Sequence, residues 1–389
     1  LTQTGFLLPF LILVFIAGFW ALRLRDILAA LRKMPLLMPD EERLLSEEAP
    51  LISVIVPAHN EEAVIAECLR SVLRQDYPRY ELIIVDDRST DSTAELVSDL
   101  IRGKSNCTIV SVRRLPEGWT GKCHAVSSAM VHARGEWLAF LDADSVLHPN
   151  ALTRCYREAL KARVSMVTLS PKFVMRTFWE KALQPAFAAM ACIIHPPGKV
   201  NDPASPVASA NGMFYLIDRE AYEQIGGHAA VRDLAVEDIG IGKRVKASGL
   251  GLLFANGNRL LRTRMYTNCS SILMGWARIL SAAMNYELTA VLKFLCMHIL
   301  VSLPVLATAL YFLYSRGHAY LAVRLVRASC DLPGGSDPGP SALLRTNGDT
   351  SALCRPPHFG QSRACVGFSG DSKKDCPTGR SSVEGDHLS

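Results

Sequence analysis

Cysteine is sparse and unpatterned in this chain: eleven in 389 residues, with no CxxC pair. That excludes a disulfide-built miniature fold and gives no zinc or redox dithiol motif. Lysine and arginine form no dense run, so nucleic acid is not an expected partner. No GxGxxG opens the first helix of the central region, which disfavours a dinucleotide fold. Gly118-Trp119-Thr120-Gly121-Lys122 departs twice from a phosphate-binding P-loop, with Pro116 in place of the first glycine and Cys123 in place of Ser/Thr. General disorder is excluded as well, because 49% of the residues are hydrophobic, enough to bury a core.

The net charge of +5 is unevenly spread, with 31 basic against 24 acidic side chains between residues 51 and 327. Such a bias suits anionic substrates or a membrane surface. Gly5–Leu22 is eighteen residues without a charge, about the minimum for crossing a bilayer core. Arg23, Arg25, Arg32 and Lys33 follow it, so a retained anchor with the following domain on the cytoplasmic side is expected. Phe294–Tyr314 is a second apolar stretch. Residues 328–389 differ from both: Gly, Pro and Ser supply 25 of 62 positions, and Ile, Trp and Tyr are absent. This tail reads as low-complexity, either a disordered extension or the result of a frame change near Arg327.

The region between the apolar stretches alternates. Leu51–Pro57, Glu81–Val85, Cys107–Val112 and Glu136–Leu141 are short β-branched or apolar runs of the kind buried on both faces. Glu62–Arg74, Thr90–Arg102, Lys122–Ala133 and Asn150–Ala162 read as the intervening helices. Strand and helix in alternation predict a parallel α/β sheet, whose ligands bind at the carboxyl ends of the strands. At those ends stand Pro57-Ala58-His59-Asn60-Glu61, Asp86-Asp87 and Asp142-Ala143-Asp144. One such aspartate is as readily a turn or N-cap residue, and a lone DxD is weak. Acidic residues at three successive strand ends instead call for a counter-charge, and oxygen-only ligands point to Mg2+ or Mn2+.

VPAHNEE, IIVDDRSTDST and FLDADS, in that order, resemble the motifs of family 2 glycosyltransferases, and Glu237-Asp238 in AVEDIGIGKRVKASG resembles that family's ED motif. LPEGWTGK and the stretch Asn211–His228 resemble the membrane-bound branch that includes hopene-associated and carotenoid-type enzymes. The resemblance implies a GT-A fold, an α/β sheet flanked by helices, with N- and C-terminal transmembrane helices. The expected organisation is an anchor over 1–24, a juxtamembrane linker over 25–50, the GT-A domain over 51–270, an interfacial segment over 271–293 and a transmembrane helix over 294–314.

The roles implied by resemblance are as follows. The loop Pro57, Ala58, His59, Asn60, Glu61 and the pair Asp86, Asp87 hold the nucleotide, and Lys122 contacts the phosphates. Asp144 ligates the metal, with Asp142 on ribose or metal; Asp238 is the general base and Glu237 assists it. The family's processive members carry QxxRW, whereas this chain has Trp276 and Arg278 in the reverse order and no Gln. That departure favours transfer of one sugar, with Asn211, Gly212, Trp276 and Arg278 toward the acceptor or diphosphate. His195 has no assigned role. The expected activity is transfer of a sugar from a nucleotide-diphospho-sugar to a lipid acceptor with inversion, at the cytoplasmic face of the membrane. Transfer to a polyprenyl phosphate, initiation of an exopolysaccharide, and a non-catalytic nucleotide-sugar-binding protein are the alternatives.

Overall fold

In the computed structural model the described residues are 4–39, 48–284, 287, 289, 292 and 296, all within one unit spanning residues 1–322. The apolar stretch 294–314, apart from Cys296, and the tail 328–389 lie outside them. Helix α1 (Thr4–Lys33) comes first, followed by β1 (Ile52–Ala58), α2 (Ile65–Val72), β2 (Tyr80–Asp87), α3 (Thr93–Ile101), β3 (Cys107–Val112), α4 (Gly121–Ala129) and β4 (Trp137–Leu141). Next come β5 (Ser145–Leu147), α5 (Ala151–Ala162), β6 (Met166–Ser170), β7 (Lys172–Phe173), α6 (Phe178–Ile194) and α7 (Pro197–Val200). The remainder is β8 (Phe214–Asp218), α8 (Arg219–Gln224), a 3-10 turn (Gly227–Val231), α9 (Glu237–Ala247), β9 (Leu252–Asn256), β10 (Leu261–Thr263) and α10 (Cys269–Ala283).

Seven strands form the main sheet in the order β3-β2-β1-β4-β8-β6-β9, and β5-β10-β7 form a small second sheet. β8 runs antiparallel to both its neighbours, while the other pairs in the main sheet are parallel. The four predicted strands of the first half are β1 to β4, and the four predicted helices are α2 to α5. Both faces of the sheet are covered. Ile52, Val54 and Val56 of β1 enter one core cluster with Ile65 and Leu69 of α2, and Ile55 enters the other with Cys123 and Val126 of α4. A strand period of two divides its side chains between two apolar layers, which is why these runs are hydrophobic throughout.

The N-terminal membrane helix expected from the sequence is not found, since among the described residues no helix is long and apolar enough to cross a membrane; the one expected over 294–314 lies outside the described residues apart from Cys296. α1 continues past residue 24, and after Met34 the chain bridges in parallel to the sheet edge through Leu36 and Asn256. The N–H of Leu37 donates to the Asn256 carbonyl at 3.0 Å, and Leu37 is buried. The segment just after α1 is therefore seated on the main sheet beside β9.

Candidate active site

The loops after β1 and β2 fold against each other. Asn60, in the left-handed region at φ 56°, accepts the Thr90 N–H at 2.8 Å, and its own N–H donates to Ser89 Oγ at 3.1 Å. The Glu61 N–H donates to Thr93 Oγ1 at 2.8 Å, and Glu62 and Asp91 each accept a backbone N–H from the other loop. His59 Nδ1 donates to the Asp87 carbonyl at 2.6 Å. Asp91 accepts the N–H and hydroxyl of Thr93. These bonds consume backbone groups that strand-end loops would otherwise leave unsatisfied, and they turn Pro57, Ala58, His59 and Glu61 toward a cavity of about 820 Å³.

Most of the predicted site residues line that one cavity: Pro57, Ala58, His59, Glu61, Asp87, Lys122, Asp142, Asp144, Asn211, Gly212, Glu237, Asp238, Trp276 and Arg278. Asn60 and Asp86 are not in its lining. Asn60 braces the two loops, and Asp86 accepts the Ser89 N–H at 3.3 Å. Asp87 is held by the guanidinium of Arg88 through two hydrogen bonds of 2.8 and 3.0 Å.

The centre of the site is Lys122. Thr120 caps α4 by accepting the Cys123 N–H, which places Lys122 in the first turn of that helix. Its ammonium lies 2.7 Å from Asp142 Oδ1 and 2.5 Å from Glu237 Oε1, joining the loop after β4 to the first turn of α9. Burial disfavours the ammonium, but Asp142, Glu237 and Asp238 outweigh it and hold the Lys122 pKa well above the ordinary lysine value. Gly212 completes this cluster. Its N–H donates to Asp238 Oδ2 at 2.6 Å, and a Cβ there would stand 3.0 Å from Lys122 Nζ and 3.1 Å from Asp238 Oδ2.

The two carboxylates of α9 differ electrostatically. For Glu237 burial is outweighed by Lys122, so its pKa is lowered. For Asp238 burial and then the neighbouring Glu237 charge raise it to about 7. Adjacent acids pushed apart in this way are the usual sign of separate chemical roles. Near β4, burial together with Asp144 and Glu237 outweighs Lys122 and raises Asp142 to about 6, and burial raises Asp144. Glu61 is raised to about 7, first by burial and then by Asp144 and Asp142.

This negative cluster suits a divalent cation. Among the described residues no group of three or more His, Cys, Asp or Glu could enclose one by itself. Mg2+ and Mn2+ in nucleotide sites are commonly held by one or two carboxylates plus substrate phosphates, and Asp142 and Asp144 fit that pattern.

The cavity also has apolar lining. Ala188, Ala191 and Cys192 of α6, Ile279 of α10 and Met34 after α1 contribute to it. Trp276 is buried and stacks on Phe187 of α6 with ring centroids 5.7 Å apart. His195, which had no role in the sequence, lines the cavity at the end of α6, and burial followed by the Lys243 charge lowers its pKa to about 4. Arg264, Met265 and Tyr266 were not singled out in the sequence, yet all three line the cavity. They belong to no short motif, so no local signal marked them.

The family model described as "Glycosyl transferase family 2" matches residues 53–226. The 4,4'-diaponeurosporenoate glycosyltransferase of Staphylococcus aureus (strain USA300) is 27% identical over 234 residues, covering 59% of this chain and 60% of the relative; that of strain MRSA252 matches to the same extent. The chain thus spans less than two thirds of the length of these relatives. Among solved structures, the mannosyltransferase PcManGT of Pyrobaculum calidifontis, in complex with GDP-Man and Mn2+, is 22% identical over 67% of this chain and 69% of that one, with a TM-score of 0.46. S. aureus TarS 1-349 in complex with UDP-GlcNAc is 19% identical over 56% and 59%, with a TM-score of 0.40. The matched segment contains the three strand-end loops and Lys122, while Glu237, Asp238 and α10 lie beyond it. Residues 53–226 therefore match the glycosyl transferase family 2 model, and the chain is similar to carotenoid-type glycosyltransferases.

Proposed function

We propose that the protein is a glycosyltransferase that moves one sugar from a nucleotide-diphospho-sugar to a lipid acceptor by a single inverting displacement. The observation that carries this reading is a single cavity lined both by the carboxylates gathered around Lys122 and by residues of α6 and α10. Asp238 Oδ2 accepts the Gly212 N–H and Oδ1 accepts the Ile239 N–H at 2.8 Å, so the carboxylate is oriented before substrate arrives. With a pKa near 7 it can take a proton at neutral pH. The acceptor hydroxyl oxygen attacks the anomeric carbon, its proton passes to Asp238, and the bond from that carbon to the diphosphate oxygen breaks, releasing nucleoside diphosphate. Glu237, already paired with Lys122, stays ionised and fixes the first turn of α9. Asp144 and Asp142 would hold a divalent cation shared with the donor's diphosphate, which supplies neutralisation of the charge that develops on the leaving group.

A lipid acceptor is favoured by the exposed surface of α6 and the helices packed on it. Leu11, Val14, Phe15, Leu22, Leu24 and Leu28 of α1, Phe178 and Trp179 of α6, and Leu273 and Met274 of α10 are exposed large hydrophobic residues. α6 packs against both α1 and α10. A concentration of exposed apolar side chains on associated helices marks an interaction surface, and we assign it to the cytoplasmic leaflet of the cell membrane, with the α/β domain facing the cytoplasm.

The test is nucleoside-diphosphate release by the full chain in membranes, over a panel of nucleotide sugars and lipid extracts with Mn2+, Mg2+ or EDTA. Metal-dependent release that requires both one donor and a lipid fraction is expected. Donor binding with no turnover under any combination would refute the transferase and leave a nucleotide-sugar-binding protein.

A further inference from the structure

Beyond β10 the chain runs along the cavity wall, gripped by two helices. Thr263 Oγ1 donates to the Asp144 carbonyl at 3.3 Å, and the next three residues, Arg264, Met265 and Tyr266, line the cavity. Glu180 of α6, fully buried, accepts Arg264 Nε at 3.0 Å on one oxygen and the N–H groups of Arg176 and Thr177, at 2.7 and 2.5 Å, on the other. One turn later Gln184 Nε2 donates to the carbonyls of Met265 and Tyr266, both at 3.0 Å. α10 contributes Gly275, where a Cβ would overlap the Tyr266 ring, and Arg278, whose Nη2 donates to the Tyr266 hydroxyl at 3.3 Å.

Glu180 engages only Nε of Arg264, and among the described residues the two terminal nitrogens meet no hydrogen-bond partner. The buried indole N–H of Trp276, another cavity-lining residue, also has none. Two guanidiniums and an indole are donors without acceptor capacity, and a held guanidinium suits the paired oxygens of phosphate or carboxylate. The Arg264 side chain is 34% exposed, so its terminal nitrogens are open to a ligand entering the cavity.

We propose that Arg264, held in place by Glu180, binds an anionic oxygen group at this wall, with the Trp276 N–H and Arg278 beside it. The group is a phosphate or carboxylate, brought by the donor's diphosphate or by an acidic head on the acceptor; the inference rests on the substrate cavity assigned above. Arg264 is the binding residue and Glu180 a positioning residue.

Calorimetric titration of the full chain in detergent tests this with four probes: pyrophosphate with Mn2+, geranylgeranyl phosphate, geranylgeranoic acid and geranylgeraniol. Arg264→Gln should weaken at least one anionic probe by about tenfold or more, the usual scale for a charged hydrogen bond, while leaving geranylgeraniol unchanged; a lower melting midpoint accompanies it because buried Glu180 loses its counter-charge. Loss on pyrophosphate assigns the anion to the donor; loss confined to the phosphate or acid lipid assigns it to the acceptor. Arg264→Lys, which keeps the charge but not the fork, should fall in between, and Glu180→Gln should weaken the same probe. Unchanged binding of every anionic probe, or no binding by any of them, overturns the subsite. So does a loss that extends equally to geranylgeraniol. None of these titrations needs turnover, so an inactive protein with Arg264-dependent pyrophosphate binding would end the transferase reading and keep this one.

Discussion

The cavity lining draws on two groups of residues, which the chain builds by different means, a carboxylate end of strand-end loops and a wall of helices. The carboxylate end comes from loops that each begin where a buried strand stops, so a few consecutive residues set every side chain, and dense hydrogen bonding between the loops after β1 and β2 holds them. The helical wall comes from helices far apart in sequence, α6 and α10, and its shape depends on contacts such as Phe187 with Trp276 and Gly275 with Tyr266. The first end is an electrostatic device in which like charges are held together around one lysine. The second is a packing device. Damage to the first should therefore fall on chemistry, and damage to the second on acceptor use or membrane contact.

The largest expected effect is Asp238→Asn, which should lower nucleoside-diphosphate release by about 10³-fold, within the range of general-base contributions, with donor binding kept; steady-state release and donor titration check it. Asp144→Ala should cost about 10²-fold, and EDTA should mimic it in the wild type, reversibly on adding Mn2+ or Mg2+. A variant that remains fully metal-responsive would remove Asp144 from the cation site. Lys122→Met should lower the thermal midpoint, because Asp142 and Glu237 lose their shared counter-charge. Breaking a buried pair costs about 3–5 kcal/mol, but the Lys122 side chain is 34% exposed, so about 2 kcal/mol is expected after screening.

A smaller effect separates the function of Asp238 from its stability. Its folded pKa, raised to about 7, lies above the ordinary carboxyl value. The folded state therefore holds the proton more tightly, and the penalty for ionising Asp238 grows as pH rises from about 4 to 7. Relative to the wild type, the metal-free Asp238→Asn protein should thus gain about 1 kcal/mol between pH 4 and pH 8, roughly 2–4 °C in midpoint, on top of a pH-independent loss because its amide can accept only one of the Gly212 and Ile239 N–H groups. Melting curves at the two pH values decide it, and equal shifts would show that the Asp238 charge is not the cause. The smallest effect on chemistry and folding is expected from Phe178→Ser with Met274→Ser, both exposed. Stability should stay within about 0.5 kcal/mol while co-sedimentation with liposomes falls; unchanged sedimentation would break the assignment of this exposed apolar surface to a membrane.

Much of the carboxylate end was legible because its signals are local. A β-branched run followed by DD or DAD states both the element and the place where its polar residues emerge, and β1, β2 and β4 end where those runs do. Glu237-Asp238 was legible through its resemblance to the ED motif, and α9 begins at Glu237. Asn60 and Asp86 read like ligands because they stand in the same motifs, but their hydrogen bonds close the loops instead. Arg264 was missed because its partner Glu180 lies 84 residues away.

By itself the sequence determined the alternating α/β order, the positions of the strand-end carboxylates and the family resemblance, because hydrophobic period and turn residues act over a few positions. Only the tertiary structure decided that Lys122 joins Asp142 to Glu237, that Asp238 and not Glu237 holds its proton near neutrality, and that α6 and α10 wall the cavity. Those outcomes depend on burial and on distances of a few ångströms between segments about a hundred residues apart, and electrostatic energy changes too steeply over such distances for residue order to fix it.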